Sequence, residues 1–185
     1  DLLLTDETTS TKQIDFQKAV DKKEVNLKKA IDRIDELQLA EIENYFRCNL
    51  SQLVNVNQKI RDKNLKAAFI YPIILKDRLE VIYQLPGNEI GRYAPNSEAV
   101  KNNDFENTIE KARENLLNNH EPEFKNQSKK LYEWLVKPLI EEKLIGKDVE
   151  TLVFVLDGNL QSIPMATLWD GKKFLVENKY ALSLL

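Results

Sequence analysis

The first part of the chain carries apolar residues at helical spacing. From Ile14 onward they recur every three or four positions, and lysines and glutamates occupy the positions between them. A second phase of the same spacing runs from Leu39 to Phe46, and neither glycine nor proline interrupts it. The pattern predicts a helical arm over residues 13–48, either a helical hairpin or the last helix of a helical-repeat array. Residues 1–12 show no periodicity and are predicted to be a disordered arm.

The periodicity changes after residue 66, where three short apolar segments follow one another. Ala67–Leu75 is an unbroken apolar and β-branched run, which is typical of a strand buried on both faces. Pro72 lies inside this run and predicts a sheet edge or a bulge, because proline cannot donate to a ladder. Arg78–Leu85 and Glu89–Tyr93 follow after turn residues. An antiparallel meander of three strands is the resulting prediction.

Two helices are predicted next. The first has a stripe made by Phe105, Ile109, Ala112, Leu116 and Leu117, and it ends in a polar segment before Pro122. The second begins at about Phe124 and includes Trp134, and we expect Pro138 to kink it or to begin a fresh turn. Gly146 follows as a helix terminator.

The last section returns to strand patterns. Thr151–Leu156 is continuously apolar, as in a central strand of a helix-covered sheet, and Asp157-Gly158 ends it. Asp170-Gly171 is a hairpin signal, and Phe174–Val176 and Tyr180–Leu185 are predicted to be two further strands. The alternation of strands and helices indicates an α/β sandwich. Because the chain closes on an apolar strand and opens without methionine, we expect a piece of a longer protein, completed by its remainder or by a second chain.

Composition narrows the possible functions. The chain has 185 residues, of which 42% are hydrophobic and 31% charged, and its net charge of −3 gives no reason to expect nucleic-acid binding. One cysteine and one histidine exclude a disulfide framework and multi-His or Cys-based metal sites. No apolar run approaches the roughly 20 residues needed to span a bilayer, and no signal peptide is evident. A cytoplasmic protein without membrane partner or cofactor is expected.

Cys48 and His120 are the first candidates for catalytic residues. Together they could form a thiol-protease dyad, with the histidine activating the cysteine. Cys48 ends the long amphipathic helix and His120 lies in a polar loop, and neither follows a strand or a glycine turn. Structural roles for both are therefore the favoured interpretation. The standard motifs of α/β hydrolases, nucleotide-binding proteins and zinc peptidases are missing from the sequence.

Two further features have both a structural and a functional interpretation. Asp157-Gly158 directly follows a strand, where α/β folds bind ligands, but the same dipeptide is typical of a tight turn. Trp134, Trp169 and Phe174 are interpreted as core residues, with a binding groove as the alternative. The turn and the core are the favoured interpretations.

The segment from Thr151 to Leu168 resembles a family motif. It contains D-G-x-L-x-x-I-P-x-x-x-L, the signature of CHAT domains, with Asp157, Gly158, Ile163 and Pro164 at the motif positions. The hairpin and strand that follow, up to residue 182, resemble the continuation of that motif. Lys130–Leu139 resembles the preceding K-L-Y-x-W-L-[IV]-x-P-L helix, and 40–46 fits the helix that enters the domain. The resemblance covers roughly residues 39–185.

CHAT domains are caspase-like domains that often follow tetratricopeptide repeats in bacteria. The resemblance implies an incomplete caspase/separase-like α/β sandwich, comprising the meander, the amino-terminal helical arm and the amino-terminal half of a CHAT-like domain over 66–185. In the family, the catalytic histidine and cysteine follow later strands, which would come after Leu185. No catalytic residue is therefore assigned to this chain, and the four motif positions receive structural roles.

The resemblance implies that the full-length protein is a cysteine peptidase with a peptide substrate. This chain would be its scaffold half and would be inactive by itself. The alternative is a non-enzymatic interaction or signalling module on a degenerate caspase-like scaffold, which would bind protein partners. An unrelated α/β hydrolase is a weaker third hypothesis, because a nucleophile elbow is missing.

Overall fold

The computed structural model describes residues 22–37, 66–75, 78–87, 89–95, 104–141, 144–146, 148–156 and 158–184. The chain divides into two compact units, Asp1–Lys59 and Ile60–Leu185. In the first unit, residues 22–37 form helix α1, in which Leu27 and Ile31 are buried. The rest of the predicted helical arm over 13–48 and the predicted disordered arm over 1–12 lie outside the described residues. The predicted domain boundaries therefore stay predictions.

The second unit contains a mixed five-stranded sheet in the order β3-β2-β1-β4-β5. Its strands are β1 (Ala67–Ile74), β2 (Leu79–Gln84), β3 (Ile90–Tyr93), β4 (Thr151–Phe154) and β5 (Ala181–Leu184). The first three pair antiparallel, as the short turns between them require, and this confirms the meander. The pairs β1–β4 and β4–β5 are parallel, because longer connections separate their strands in sequence. The chain is thus a mixed α/β structure, as predicted.

Both faces of the central strands are apolar and buried. On one face, Ala68 and Ile70 of β1 and Phe154 of β4 belong to the main hydrophobic core together with the helices. On the opposite face, Phe69 and Tyr71 are also buried, although they lie outside that core cluster. This confirms the prediction that an unbroken apolar run forms a strand buried on both sides.

The prediction that Pro72 places its strand at an edge or at a bulge is wrong. β1 is the middle strand of the five, and its register with β2 runs without interruption through the pair Pro72–Val81. The carbonyl of Ile70 accepts a hydrogen bond from Val155 N (2.9 Å), so even-numbered residues of β1 direct their backbone groups toward β4. The β1–β4 pairing ends at Ile70, and the missing N–H of Pro72 therefore costs no ladder hydrogen bond.

Three helices cover one face of the sheet: α2 (Asp104–Leu117), α3 (Glu121–Leu135) and α4 (Lys137–Glu141). The break between α3 and α4 falls at Val136, two residues before Pro138, which confirms the expected fresh turn. Phe105 of α2 packs on Trp134 of α3 with a ring-centroid distance of 5.3 Å. The apolar stripe predicted for α2 is correct except for Leu117, which is 71% exposed at the end of the helix.

The segment between β4 and β5 consists of three short 3-10 helices, Gly158–Ser162, Met165–Thr167 and Leu175–Glu177. The prediction of a strand over Phe174–Val176 is wrong, since Phe174 makes only an isolated antiparallel bridge with Trp169. The Glu177 carboxylate accepts a hydrogen bond from Phe174 N (2.6 Å), and Glu177 N donates to the Phe174 carbonyl (2.9 Å). These two contacts close the chain into a helical turn instead of an extended strand.

Candidate functional site

The carboxyl ends of β1, β4 and β5 meet at one edge of the sheet, because the three strands are parallel to one another. Ligands of open α/β sheets bind at this edge. The pairing of β4 with β1 continues one step past the strand, through the hydrogen bond from Val155 N to Ile70 O (2.9 Å). The described chain resumes at Gly158 with a 3-10 helix, so the CHAT-like motif begins at this edge.

Gly158 starts the segment that leaves the sheet edge. Its φ of +55° lies in the left-handed region, and a Cβ added there would meet nothing within 4 Å. Glycine is therefore favoured at this position by the backbone conformation and not by crowding. The side chain of Gln161 donates a hydrogen bond to the Leu156 carbonyl (3.1 Å), which holds the turn against the end of the strand. Asp157 lies outside the described residues.

The remaining motif positions fix the turn to the core. Leu160 and Ile163 are 0% and 1% exposed and belong to the main core cluster. Pro164 is exposed and precedes the second 3-10 helix, where its carbonyl accepts hydrogen bonds from Thr167 N (2.9 Å) and Thr167 Oγ1 (2.7 Å). The buried hydroxyl of Ser128 on α3 donates to the Thr167 carbonyl. These residues supply packing and backbone geometry, and the structural roles predicted for the four motif positions of the family stay predictions.

The outer side of β5 forms one boundary of the described sheet. Ala181 N donates to the Glu150 carbonyl (2.9 Å), so Ala181 and Ser183 direct their backbone groups toward β4. The alternation along a strand turns the N–H groups of Leu182 and Leu184 to the other side. No strand pairs with that side among the described residues, and the Leu184 side chain is 58% exposed. This side of β5 can accept a further strand.

A small hairpin lies between the second and third 3-10 helices. Trp169 and Phe174 pack edge to face across it with ring centroids 4.8 Å apart, and both are partly exposed. Lys125 Nζ of α3 lies 4.9 Å from the centre of the Trp169 ring and 2.7 Å from the Glu121 carboxylate. Hydrogen bonding to Lys125 lowers the pKa of Glu121. The prediction that the three aromatic residues belong to the core is confirmed for Trp134, which is buried. It is only partly correct for Trp169 and Phe174, which are partly exposed.

A second charged cluster joins β2 and β3. Glu80 is 8% exposed, and its two carboxylate oxygens accept hydrogen bonds from Arg78 Nε (2.8 Å) and Arg92 Nη1 (3.1 Å). Two guanidinium groups thus compensate the burial of one carboxylate. The sequence analysis missed this cluster, although Arg78 and Glu80 stand two residues apart in the predicted strand Arg78–Leu85 and would therefore share a face.

The possibility of a Cys48–His120 dyad is not tested by the described residues. His120 is exposed in the turn before α3 and makes no side-chain capping bond there, while Cys48 lies outside the described residues. Within the described ranges, no group of three His, Cys, Asp or Glu side chains could hold a metal ion. The described helices are also too short or too polar to cross a bilayer. The structural roles expected for Cys48 and His120 stay predictions.

The described elements define a mixed α/β domain with a five-stranded sheet. Residues 125–185 match the family model described as CHAT domain, so this part of the chain is similar to that family. The match is confined to the C-terminal third and is narrower than the 39–185 range over which the motifs show resemblance. Neither the curated proteins nor the solved structures include a match to the chain.

Proposed function

We propose that this chain is the non-catalytic amino-terminal part of a CHAT-type caspase-like cysteine peptidase, whose His/Cys dyad follows Leu185. The observation that carries the proposal is the combination of the match to the CHAT-domain model over 125–185 with an outer side of β5 that no described strand pairs. A strand added parallel to β5 would bring its own carboxyl end to the edge where β4 and the Gly158 turn lie. The remainder of the same protein is the proposed source of that strand, with a second chain as the alternative.

In the proposed reaction, the downstream imidazole takes the proton of the downstream thiol, and the thiolate attacks the carbonyl carbon of the peptide bond. The imidazolium then protonates the leaving amine, and water hydrolyses the thioester to release the acid and regenerate the thiol. This chain contributes the scaffold that would support the downstream catalytic residues. The buried anchors Leu160 and Ile163 hold the Gly158 turn, which borders the edge where the reaction would occur.

The experiment compares the 185-residue chain with a longer polypeptide that continues past Leu185 through the proposed dyad. Both are incubated with a peptide library, and cleavage is followed by mass spectrometry with and without a thiol alkylating reagent. We expect alkylation-sensitive cleavage from the longer polypeptide alone. Cleavage by the 185-residue chain that Cys48→Ala abolishes would overturn the proposal. A longer polypeptide that never cleaves would also overturn it and would favour the non-enzymatic interaction module.

A further inference from the structure

The hairpin between Trp169 and Phe174 presents a surface that combines lysines with aromatic rings. We define this lysine–aromatic surface by its six members: Lys125, Lys129, Trp169, Lys172, Lys173 and Phe174. Lys125 lies over the two rings, with its Nζ 4.9 Å and 5.7 Å from their centres. Lys129, one turn further along α3, lies over the tip of the hairpin, where a Cβ on Gly171 would be 3.7 Å from its Cε.

Three carboxylates around this surface already accept hydrogen bonds or form an ion pair. Asp170 accepts hydrogen bonds from Lys172 N (2.7 Å) and Lys173 N (2.8 Å), Glu177 accepts one from Phe174 N, and Glu121 pairs with Lys125. The ammonium groups of Lys129, Lys172 and Lys173 make no ion pair within the described part of the chain. Lys129 and Lys172 are exposed and Lys173 is half-buried, and these three cations lie beside two partly exposed rings. Asp170 attracts Lys172 and Lys173 electrostatically, which leaves Lys129 as the cation without a neighbouring carboxylate among the three named above.

Backbone hydrogen bonds hold the hairpin at its base and at its turn. Leu175 N donates to the Leu168 carbonyl (2.7 Å), and both leucines are completely buried, so the two ends of the hairpin are fixed in the core. Asp170 N donates to the Lys173 carbonyl (3.1 Å) and closes the turn, which Gly171 completes with a φ of +100°. A surface already held in one conformation loses little entropy on binding.

We infer that the lysine–aromatic surface docks an acidic peptide segment of a partner protein that carries an apolar side chain among its carboxylates. The rings offer contact area of the kind that dominates binding energy at interfaces, and the unpaired ammonium groups offer charge complementarity. Nucleic acid is the less favoured ligand, because the surface holds four lysines and no arginine on a chain of net charge −3. This inference does not depend on the proposed peptidase function.

The test uses a short fluorescein-labelled peptide in which glutamates flank one phenylalanine, titrated with the 185-residue chain and followed by fluorescence anisotropy. Lys129→Glu combined with Lys172→Glu should weaken binding about tenfold. The matched control is Lys111→Glu with Lys130→Glu, which makes the same charge change at two exposed lysines that also lack ion pairs. The control should bind like the unaltered chain. Raising the salt from about 0.1 M to 1 M should also weaken binding, since it shortens the screening length from about 10 to 3 Å.

Three results would overturn the inference. One is an equal loss of binding in the Lys129/Lys172 pair and in the control pair, because binding would then follow net charge alone. Another is unchanged binding when alanine replaces the phenylalanine of the peptide. The third is tighter binding of oligothymidylate, or of phosphatidylserine-containing vesicles, than of the peptide. A milder pair, Lys129→Gln with Lys172→Gln, should give an intermediate loss, and its circular dichroism spectrum would exclude unfolding as the cause.

Discussion

Leu160 offers a direct test of whether the segment after β4 is built around the core. Its side chain is completely buried in the main cluster, two residues after the left-handed turn at Gly158. Leu160→Ala removes buried apolar atoms and leaves a cavity, and such changes cost about 2–5 kcal/mol. We expect a loss of about 3 kcal/mol in the free energy of unfolding, equivalent to a fall of about 10 °C in the melting temperature for a unit of this size.

The assay is urea unfolding followed by tryptophan fluorescence. Both tryptophans, Trp134 and Trp169, belong to the unit Ile60–Leu185, so the signal reports that unit and not the amino-terminal one. The matched control is Leu117→Ala, since Leu117 is 71% exposed and the same substitution there should change stability by less than about 0.5 kcal/mol. If Leu160→Ala costs less than about 1 kcal/mol, or no more than the control, the segment is not anchored as described.

Three further substitutions test other parts of the account. Gly158→Ala should cost about 1–2 kcal/mol in urea unfolding, because its φ of +55° is unfavourable for alanine, and a smaller loss for Gly158→Asn would support this cause. Glu80→Gln should cost about 1–2 kcal/mol, since it leaves two half-exposed arginines without their carboxylate, and an unchanged stability would contradict the compensation. Although burial opposes ionisation, the amides of Lys173 and Lys172 hold the pKa of Asp170 below its ordinary value of 3.8. A lowered pKa stabilises the fold above the ordinary value and loses that contribution as the pH falls through the folded value. Unfolding at a series of pH values should therefore show Asp170→Asn less stable at neutral pH, with a difference that shrinks in acid; a constant difference would count against this.

The elements that the sequence predicts correctly are those whose signal is local and repeated. The unbroken run of β1 and the apolar stripes of α2 and α3 are examples, because one buried face fixes the spacing of many residues. The edge or bulge predicted from Pro72 is wrong, because the cost of its missing N–H depends on where the neighbouring strand β4 stops pairing. The strand predicted over Phe174–Val176 is wrong for a similar reason. The Glu177 carboxylate, three residues after Phe174, accepts a hydrogen bond from Phe174 N and favours a 3-10 helix.

The candidate site likewise contains features that the sequence predicts and features that it does not. The CHAT-like motif could be identified from sequence, because its residues are consecutive and its glycine and buried aliphatics have fixed spacing. The contact between Lys125 and the hairpin rings could not, since α3 and the hairpin meet only through the tertiary fold. The same holds for Arg92 and Glu80, which lie on different strands and meet through the register of β2 and β3.

Hydrogen exchange at Leu182 and Leu184 tests the central claim most directly. In the 185-residue chain the N–H groups of these residues face away from β4, and they should exchange much faster than those of Ala181 and Ser183. In the longer polypeptide, a strand paired with the outer side of β5 should slow the exchange of both leucine amides. Equal exchange of Leu182 and Leu184 in the two polypeptides would contradict the claim that this chain is a frame completed at β5.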